Sequence, residues 1–241
     1  MAFLWSLIFV DPLIILSTIL CGVVSIGVSI FDKGGNRMLG VARFWARTLL
    51  RITRVRVTVA GAERLDPNTT YVFAGNHLSY MDTPVLLSHI PVPFRFMAKK
   101  GLFQIPFLGT HLIQAGHIPV SLEEPRAALK TLSRAAQTIR DRRTSVLIFP
   151  EGGRSEDGIL QPFKEGAAYV AIKAGVPLVP VALVGTREVL AMGSATFHAA
   201  PVTLRFGQPI PVAGLTLRDR EELTEQARQQ VVRMLATEAR P

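Results

Sequence analysis

The chain has 241 residues, 49% of them hydrophobic, with a mean hydropathy of +0.31, a formal charge of +9 and a pI near 10.4. That length holds one sizeable core with a smaller appendage, and the apolar balance is high for a wholly soluble domain. So basic a chain calls for an anionic partner. Aromatics at 7%, with no zinc-finger spacing and no RNA-binding aromatic motif, set nucleic acid aside and leave an anionic membrane or an acidic substrate. Cys21 is the single cysteine, which excludes an intrachain disulfide and a thiol-rich metal site.

Residues 12 to 31 carry no charge, and as a helix a run of about 20 residues rises ~30 Å, the thickness of a bilayer's hydrocarbon core. No basic residue precedes the run and no small-residue cleavage site follows it, so an anchor is expected rather than a removed leader. Ser17, Gly22, Ser25, Gly27 and Ser29 would also suit a re-entrant hairpin or close helix packing. Lys33 to Arg56 then holds seven basic residues and no acidic one. On a helical wheel Arg43, Arg47, Arg51 and Arg54 form a stripe opposite Met38, Val41, Trp45, Leu49 and Ile52. Such a helix suits an anionic membrane surface, or packing on the protein's own core with its basic face in water. Residues 1–54 are therefore expected to form a membrane anchor and basic amphipathic helix, and residues 55–241 an α/β domain.

Val55, Val57 and Val59 alternate with Arg56 and Thr58, the period of a half-buried strand. Further strands are expected at 71–74, 94–98, 118–120, 145–149, 178–184 and 202–206. Helices are expected from Thr83, from Pro125 (where Leu129, Leu132, Ala136 and Ile139 recur at helical spacing), over 164–174 and over 221–239. Strands alternating with helices predict a mixed, partly parallel sheet flanked by helices.

Between the strand at 71–74 and its following helix stands Asn76-His77-Leu78-Ser79-Tyr80-Met81-Asp82. A strand-to-helix connection is where a rigid scaffold presents a reactive side chain. Five residues of straight helix rotate by roughly 140°, so cooperation between His77 and Asp82 requires a non-helical path between them. A carboxylate beside an imidazole fixes its tautomer and strengthens it as a base. The alternative is a histidine that caps a turn and an aspartate that caps the next helix. Downstream, the strand at 145–149 runs into Pro150-Glu151-Gly152-Gly153-Arg154-Ser155. Two glycines let backbone approach a ligand closely. Arg154 offers a planar fork of donors for a phosphate, and Ser155 another donor. Glu151 would hold that arginine or accept from an alcohol; the alternative is a Gly-Gly turn with exposed charges. No Walker loop, GxSxG elbow or GxGxxG is present. His89, His111, His117 and His198 have no paired carboxylate nearby in sequence, and no metal site is expected.

Asn76-His77-x4-Asp82 followed, roughly 70 residues on, by Phe149-Pro150-Glu151-Gly152-x-Arg154-Ser155 resembles the glycerolipid acyltransferase family, most closely its bacterial lysophosphatidate-acylating members. The similarity covers roughly residues 50–210. Ala98-Lys99-Lys100 with Leu102, Pro106-Phe107-Leu108-Gly109, Gly116-His117-Ile118-Pro119-Val120, Phe163-Lys164-Glu165-Gly166 and Val179-Pro180-Val181-Ala182 also match. The resemblance implies transfer of a fatty acyl group from acyl-CoA or acyl carrier protein to the free hydroxyl of 1-acyl-sn-glycerol-3-phosphate, making phosphatidate. It implies His77 and Asp82 as the catalytic pair, and Glu151, Gly152, Gly153, Arg154, Ser155, Lys99 and Lys100 as substrate-binding residues. The acyl donor is a substrate, and no cofactor is implied. Partners would be membrane phospholipid, a lysophospholipid acceptor, and coenzyme A or carrier protein, at the cytoplasmic face of a bacterial inner membrane.

Three positions depart from the family pattern. Ser121-Leu122 stand where an acidic residue and a phosphate-holding arginine are usual, with Arg126 as a candidate substitute. Gly153 replaces a threonine and Gly101 a glutamate. These touch the acceptor's head group more than the chemistry. Another lysolipid acceptor, a hydrolase or transacylase with the same pair, and a non-catalytic anionic-membrane-binding protein are the competing readings.

Overall fold

The computed structural model describes residues 2–121 and 125–237. Its first long element is α1 (Phe3–Ser29), one continuous apolar helix that widens to a π turn over Ser6–Val10. Gly35, at φ 73°, turns the chain into α2 (Asn36–Ile52). A side chain at that glycine would collide with the Ala115 carbonyl, so the turn is packed tightly on the domain. The two helices run antiparallel: Trp45 Nε1 donates to Thr18 Oγ1 at 3.0 Å, and the Arg54 guanidinium lies 5.3 Å over the Trp5 ring.

The strands are β1 (Arg56–Ala60), β2 (Val72–Gly75), β3 (Phe94–Lys99), β4 (Ile118–Val120), β5 (Ser145–Ile148), β6 (Leu178–Val184) and β7 (Pro201–Phe206). Between and after them lie α3 (Asp82–His89), α4 (Leu108–Gln114), α5 (Pro125–Arg142), α6 (Gly166–Ala174), α7 (Thr186–Val189) and α8 (Arg220–Ala236). All seven strands form one sheet in the order β1-β7-β6-β2-β5-β3-β4. The pairs from β6 through β4 are parallel, while β7 pairs antiparallel with β6 and parallel with β1. This is the expected mixed, partly parallel sheet, and each strand read from the sequence begins and ends within one residue of an observed one.

Helices cover both faces. Phe73, Leu147, Val181 and Leu183 point to the side where Leu39, Ala46 and Leu50 of α2 and Val85, Leu86 and Leu87 of α3 pack. Val72, Ala74, Val146, Ile148 and Leu178 point to the side covered by Ala135, Ala136 and Ile139 of α5, Ala167, Ala168 and Ala171 of α6, and Leu223 and Ala227 of α8. Central strands buried on both faces read as unbroken apolar runs, which is why β5 and β6 were legible. Edge strand β1 instead alternates exposed and half-buried positions, and the other edge, β4, tolerates Pro119 because an edge nitrogen needs no ladder partner.

The basic stripe of α2 is divided. Arg47, Arg51 and Arg54 are exposed, but Arg43 donates to the carbonyls of Ile90 and Val92 at 2.7 and 2.8 Å and clamps the chain after α3. The fully buried row is Met38, Leu39, Ala46, Leu49 and Leu50, whereas Val41, Trp45 and Ile52 are only half-buried. The physical reason is that α2 packs against α1 and α3 at once, so its buried arc is wider than a single stripe. Because α2 shares its core with β2 and β5, the change of composition near residue 54 is not a gap in packing.

Candidate active site

In parallel register Ala74 of β2 lies opposite Ile148 of β5. The two polar motifs, far apart in sequence, therefore leave the sheet side by side at the carboxyl ends of adjacent strands, where open α/β sheets bind ligands. Asn76 fastens the first motif to the next strand. Its Nδ2 donates to the Leu183 carbonyl at 2.9 Å and its Oδ1 accepts from the Leu183 N–H at 2.8 Å.

The path from His77 to Asp82 is non-helical, as cooperation requires. Asp82 is fully buried and is the first residue of α3, without a capping hydrogen bond to that helix. Its side chain turns back instead. Oδ2 accepts from His77 Nδ1 at 2.7 Å, from the Leu78 N–H at 2.7 Å and from the Ser79 N–H at 2.9 Å. The Ser79 hydroxyl donates to the Leu190 carbonyl at 2.7 Å and accepts from the Met81 N–H at 3.1 Å, which closes the loop. Phe149 stacks on the His77 ring, with centroids 3.8 Å apart and planes 8° from parallel. With Nδ1–H donated to the carboxylate, the lone pair left on the ring is that of Nε2, the atom available to a substrate proton.

The second motif grips the first through its backbone. Glu151 Oε1 accepts from the His77 N–H at 2.7 Å, Oε2 accepts from the Gln161 N–H at 2.8 Å, and the Ser155 N–H donates to the His77 carbonyl at 2.8 Å. Burial pushes the Glu151 carboxyl up from its ordinary value and the Asp82 charge adds to this, while the two backbone donors pull it down. Ser155 is buried; its hydroxyl lies 2.7 Å from Asp157 Oδ1 and 2.8 Å from the Ile159 carbonyl, and accepts from the Gly158 N–H at 3.0 Å. The side chains of Glu151 and Ser155, two of those expected to touch substrate, are thus hydrogen-bonded within these loops.

Gly152 has φ 81°, and a side chain there would meet Lys164 Nζ at 2.6 Å; nothing lies within 4 Å of one added at Gly153. The Arg154 guanidinium carbon sits 3.9 Å over the ring of Tyr80, within the His77–Asp82 loop, and that ring is 54% exposed. A cation is therefore held against the loop that runs from His77 to Asp82. Lys99 and Lys100 are exposed at the end of β3. They share the carboxyl edge of the sheet but stand two strands from β2, about 10 Å to the side at ~4.8 Å per strand. Leu122 and the side chain of Arg126 lie outside the described residues. Among the described residues, no group of three His, Cys, Asp or Glu side chains is placed to hold a metal ion.

Sequence reasoning missed three contributors. Phe149 reads as the end of a strand and the start of the second motif without its stacking on His77, Tyr80 as one residue of a loop, and Gln161 acts through its backbone, which leaves no trace in residue type.

The acyltransferase family profile matches residues 56–184, more than half of the 241-residue chain. The chloroplastic 1-acyl-sn-glycerol-3-phosphate acyltransferase BAT2 of Brassica napus is 36% identical over 155 residues, 64% of this chain and 44% of its own length. A 1-acyl-sn-glycerol-3-phosphate acyltransferase of Chlamydomonas reinhardtii is 33% identical over 243 residues, 99% of this chain and 69% of the relative. That of Borreliella burgdorferi is 30% identical over 188 residues, 78% of this chain and 75% of the relative. The chain thus spans under half the length of the Brassica relative. The crystal structure of the 1-acyl-sn-glycerophosphate (LPA) acyltransferase PlsC from Thermotoga maritima has the same fold, with a TM-score of 0.85 at 24% identity, covering 100% of this chain and 99% of that one. Family profile and relatives agree with the two motifs joined at His77: the chain belongs to the acyltransferase family.

Proposed function

We propose that this protein transfers a fatty acyl group from a thioester, acyl-CoA or acyl carrier protein, to the free hydroxyl of 1-acyl-sn-glycerol-3-phosphate. The observation that carries this reading is His77 Nδ1 held by the buried Asp82 carboxylate, which leaves Nε2 free to act as a base, with the Arg154 cation on Tyr80 of the same loop. The names of the relatives supply the acceptor. As the acceptor oxygen bonds to the thioester carbon, its proton passes to Nε2 and Asp82 stabilises the imidazolium. Collapse of the tetrahedral adduct breaks the C–S bond, and the proton moves from His77 to the departing sulfur.

Direct transfer needs no acyl-enzyme, and the nearby hydroxyls of Ser79 and Ser155 are buried and already hydrogen-bonded. The N–H groups of His77, Leu78 and Ser79 donate to Glu151 and Asp82, so these three are not free to stabilise the oxyanion. Arg154 would grip the acceptor's phosphate, with Lys99 or Lys100 meeting the acidic part of the substrates.

The protein works at a membrane in this reading. The α1 helix has 27 residues and a mean hydropathy of 2.5, long enough to cross. Yet it is tied to the domain near both ends, by Ser6 to the Phe197 backbone at 3.0 Å and by Ser25 to His111 Nδ1 at 2.7 Å. Those ties are nineteen residues apart, roughly 28 Å along a helix. A helix fastened over that length lies along the domain, with its outer face in the interface of one leaflet. The cytoplasmic leaflet fits, because it faces coenzyme A and acyl carrier protein.

Free-thiol release from acyl-CoA by the full chain in lipid, with and without a panel of lysolipids, tests the reading. Release should require lysophosphatidate, and His77→Ala in a folded, membrane-bound protein should slow it by about 10²–10⁴-fold. Release without any lysolipid would make the protein a hydrolase, no release at all a binding protein, and near wild-type turnover in His77→Ala would remove the base.

A further inference from the structure

Away from the base, a cleft of about 340 Å³ opens between the turn after α1, α4 and the C-terminal half of α5. Three cations line it: Lys33, Arg134 and Arg142. No carboxylate does, and none of the three has an ion-pair partner among the described residues. The Arg142 guanidinium lies over the backbone of Gly116, where a side chain would meet Nη1 at 3.0 Å and where φ is 81°. The chain thus makes room at that turn for an arginine it does not neutralise. Gln114 adds amide donors to the lining.

The cleft borders the apolar surface. Ile113 on its rim is 64% exposed, and Ile30 and Phe31, just before Lys33, are 74% and 76% exposed. A bilayer that takes up those side chains brings its phosphate layer to the level of the three cations. The first residues of β4 line the cleft, and β4 is three strands from β2, about 14 Å to the side at ~4.8 Å per strand. Arg154 and the base are therefore not part of it.

We infer that this cleft is a second anion-binding site, which holds the net-anionic head group of an acidic bilayer phospholipid, such as phosphatidylglycerol, that is not a substrate. It rests on the membrane reading above only for the identity of its occupant. Bound there, the lipid fixes how deeply the turn after α1 sits and so sets the attitude of the active-site edge to the membrane. An unpaired arginine pair presents bidentate donors suited to phosphate oxygens, which hydration alone does not require.

The test uses the full chain, wild type and R134Q/R142Q, with R218Q/R233Q, just before α8 and in its last turn, as a charge-matched control. Each cation near an anionic surface is worth about fivefold in affinity, so two are worth about thirtyfold. Flotation with vesicles of phosphatidylcholine containing phosphatidylglycerol should show that loss in R134Q/R142Q and little in the control. Binding to pure phosphatidylcholine, and acyl transfer on detergent-dispersed substrates, should not change. Calorimetry with dihexanoyl phosphatidylglycerol below its micellar concentration reads the cleft without a bilayer. Saturable binding to wild type and none to R134Q/R142Q is expected. Equal losses in the two double variants, no short-chain binding, or a raised KM for acyl-CoA or lysophosphatidate in R134Q/R142Q would each overturn the inference. Short-chain binding with no vesicle binding would leave the cleft standing and remove the membrane anchor.

Discussion

In the proposed mechanism Glu151 acts on His77 through the backbone. Its two oxygens accept from the His77 and Gln161 N–H groups, and a glutamine can offer only one acceptor with an amide donor on the other side. In Glu151→Gln one buried N–H loses its partner, a cost of about 1–3 kcal/mol, and the His77 loop loses a fixed position. We expect kcat to fall while KM for the acyl donor changes little, with a lower Tm. A raised donor KM at unchanged kcat would move Glu151 back to substrate binding. The pairing of His77 with Asp82 was legible because a histidine and an aspartate flanking a strand-to-helix turn can meet when the path between them is non-helical. The loop-holding hydrogen bonds of Glu151 and Ser155 were not, since a side chain that holds a loop and one that holds a phosphate are the same residue types until the partner is seen.

Among the elements, the strands were legible because a period of two, or a short unbroken apolar run, survives without knowledge of neighbours. The face of α2 was not, because two helices bury it from different directions. Nor was the polar cluster beneath the turn from α1 to α2. There the buried Arg95 donates to the Gly34 carbonyl at 2.7 Å and Asn36 Oδ1 at 2.9 Å, and burial lowers its pKa to about 10. Next to it His117 accepts from the Phe96 N–H at 2.9 Å through Nδ1, which ties β4 to β3. Burial, then the neighbouring His111 and Arg95, lower the His117 pKa to about 3. An unfolded histidine titrates near ~6.5, so between these values the unfolded chain binds a proton that the native state refuses. The contribution is complete above about pH 6.5 and is lost as the pH falls toward 3, reaching about 3 kcal/mol by pH 4. His117→Asn keeps an acceptor for the Phe96 N–H without titrating. Its unfolding free energy should therefore vary less with pH between 6.5 and 4 than that of wild type, even if it is lower at pH 7. Parallel curves in denaturant titrations across that range would show that His117 is protonated in the fold.

At the scale of the whole molecule, composition signalled a membrane and length signalled a helix able to cross one, yet neither carries the helix's direction. Direction depends on what α1 touches. Ser6, Val10 and Ser25 are its buried positions, and Leu4, Leu7, Ile8, Leu16, Ile19, Leu20 and Val23 are exposed. A spanning helix would offer apolar atoms on every side and leave the domain at one end. This one keeps Ser6, Val10 and Ser25 against the domain and turns its large apolar side chains outward, which supports the proposed placement along one leaflet. To cross, it would have to give up the hydrogen bonds of Ser6, Thr18 and Ser25 to the domain and to α2. The two orientations differ in where the start of α1 lies. In a Cys21→Ala background, single cysteines at Leu4 and at Asn36 can be labelled by a membrane-impermeant maleimide in sealed vesicles with the catalytic domain outside. We expect both positions to react from the outside before the vesicles are opened, because both ends of α1 stay on the domain's side. Labelling at Asn36 alone, with Leu4 reacting only after the membrane is permeabilised, would make α1 a spanning anchor and detach the contacts at Ser6 from the working state of the protein.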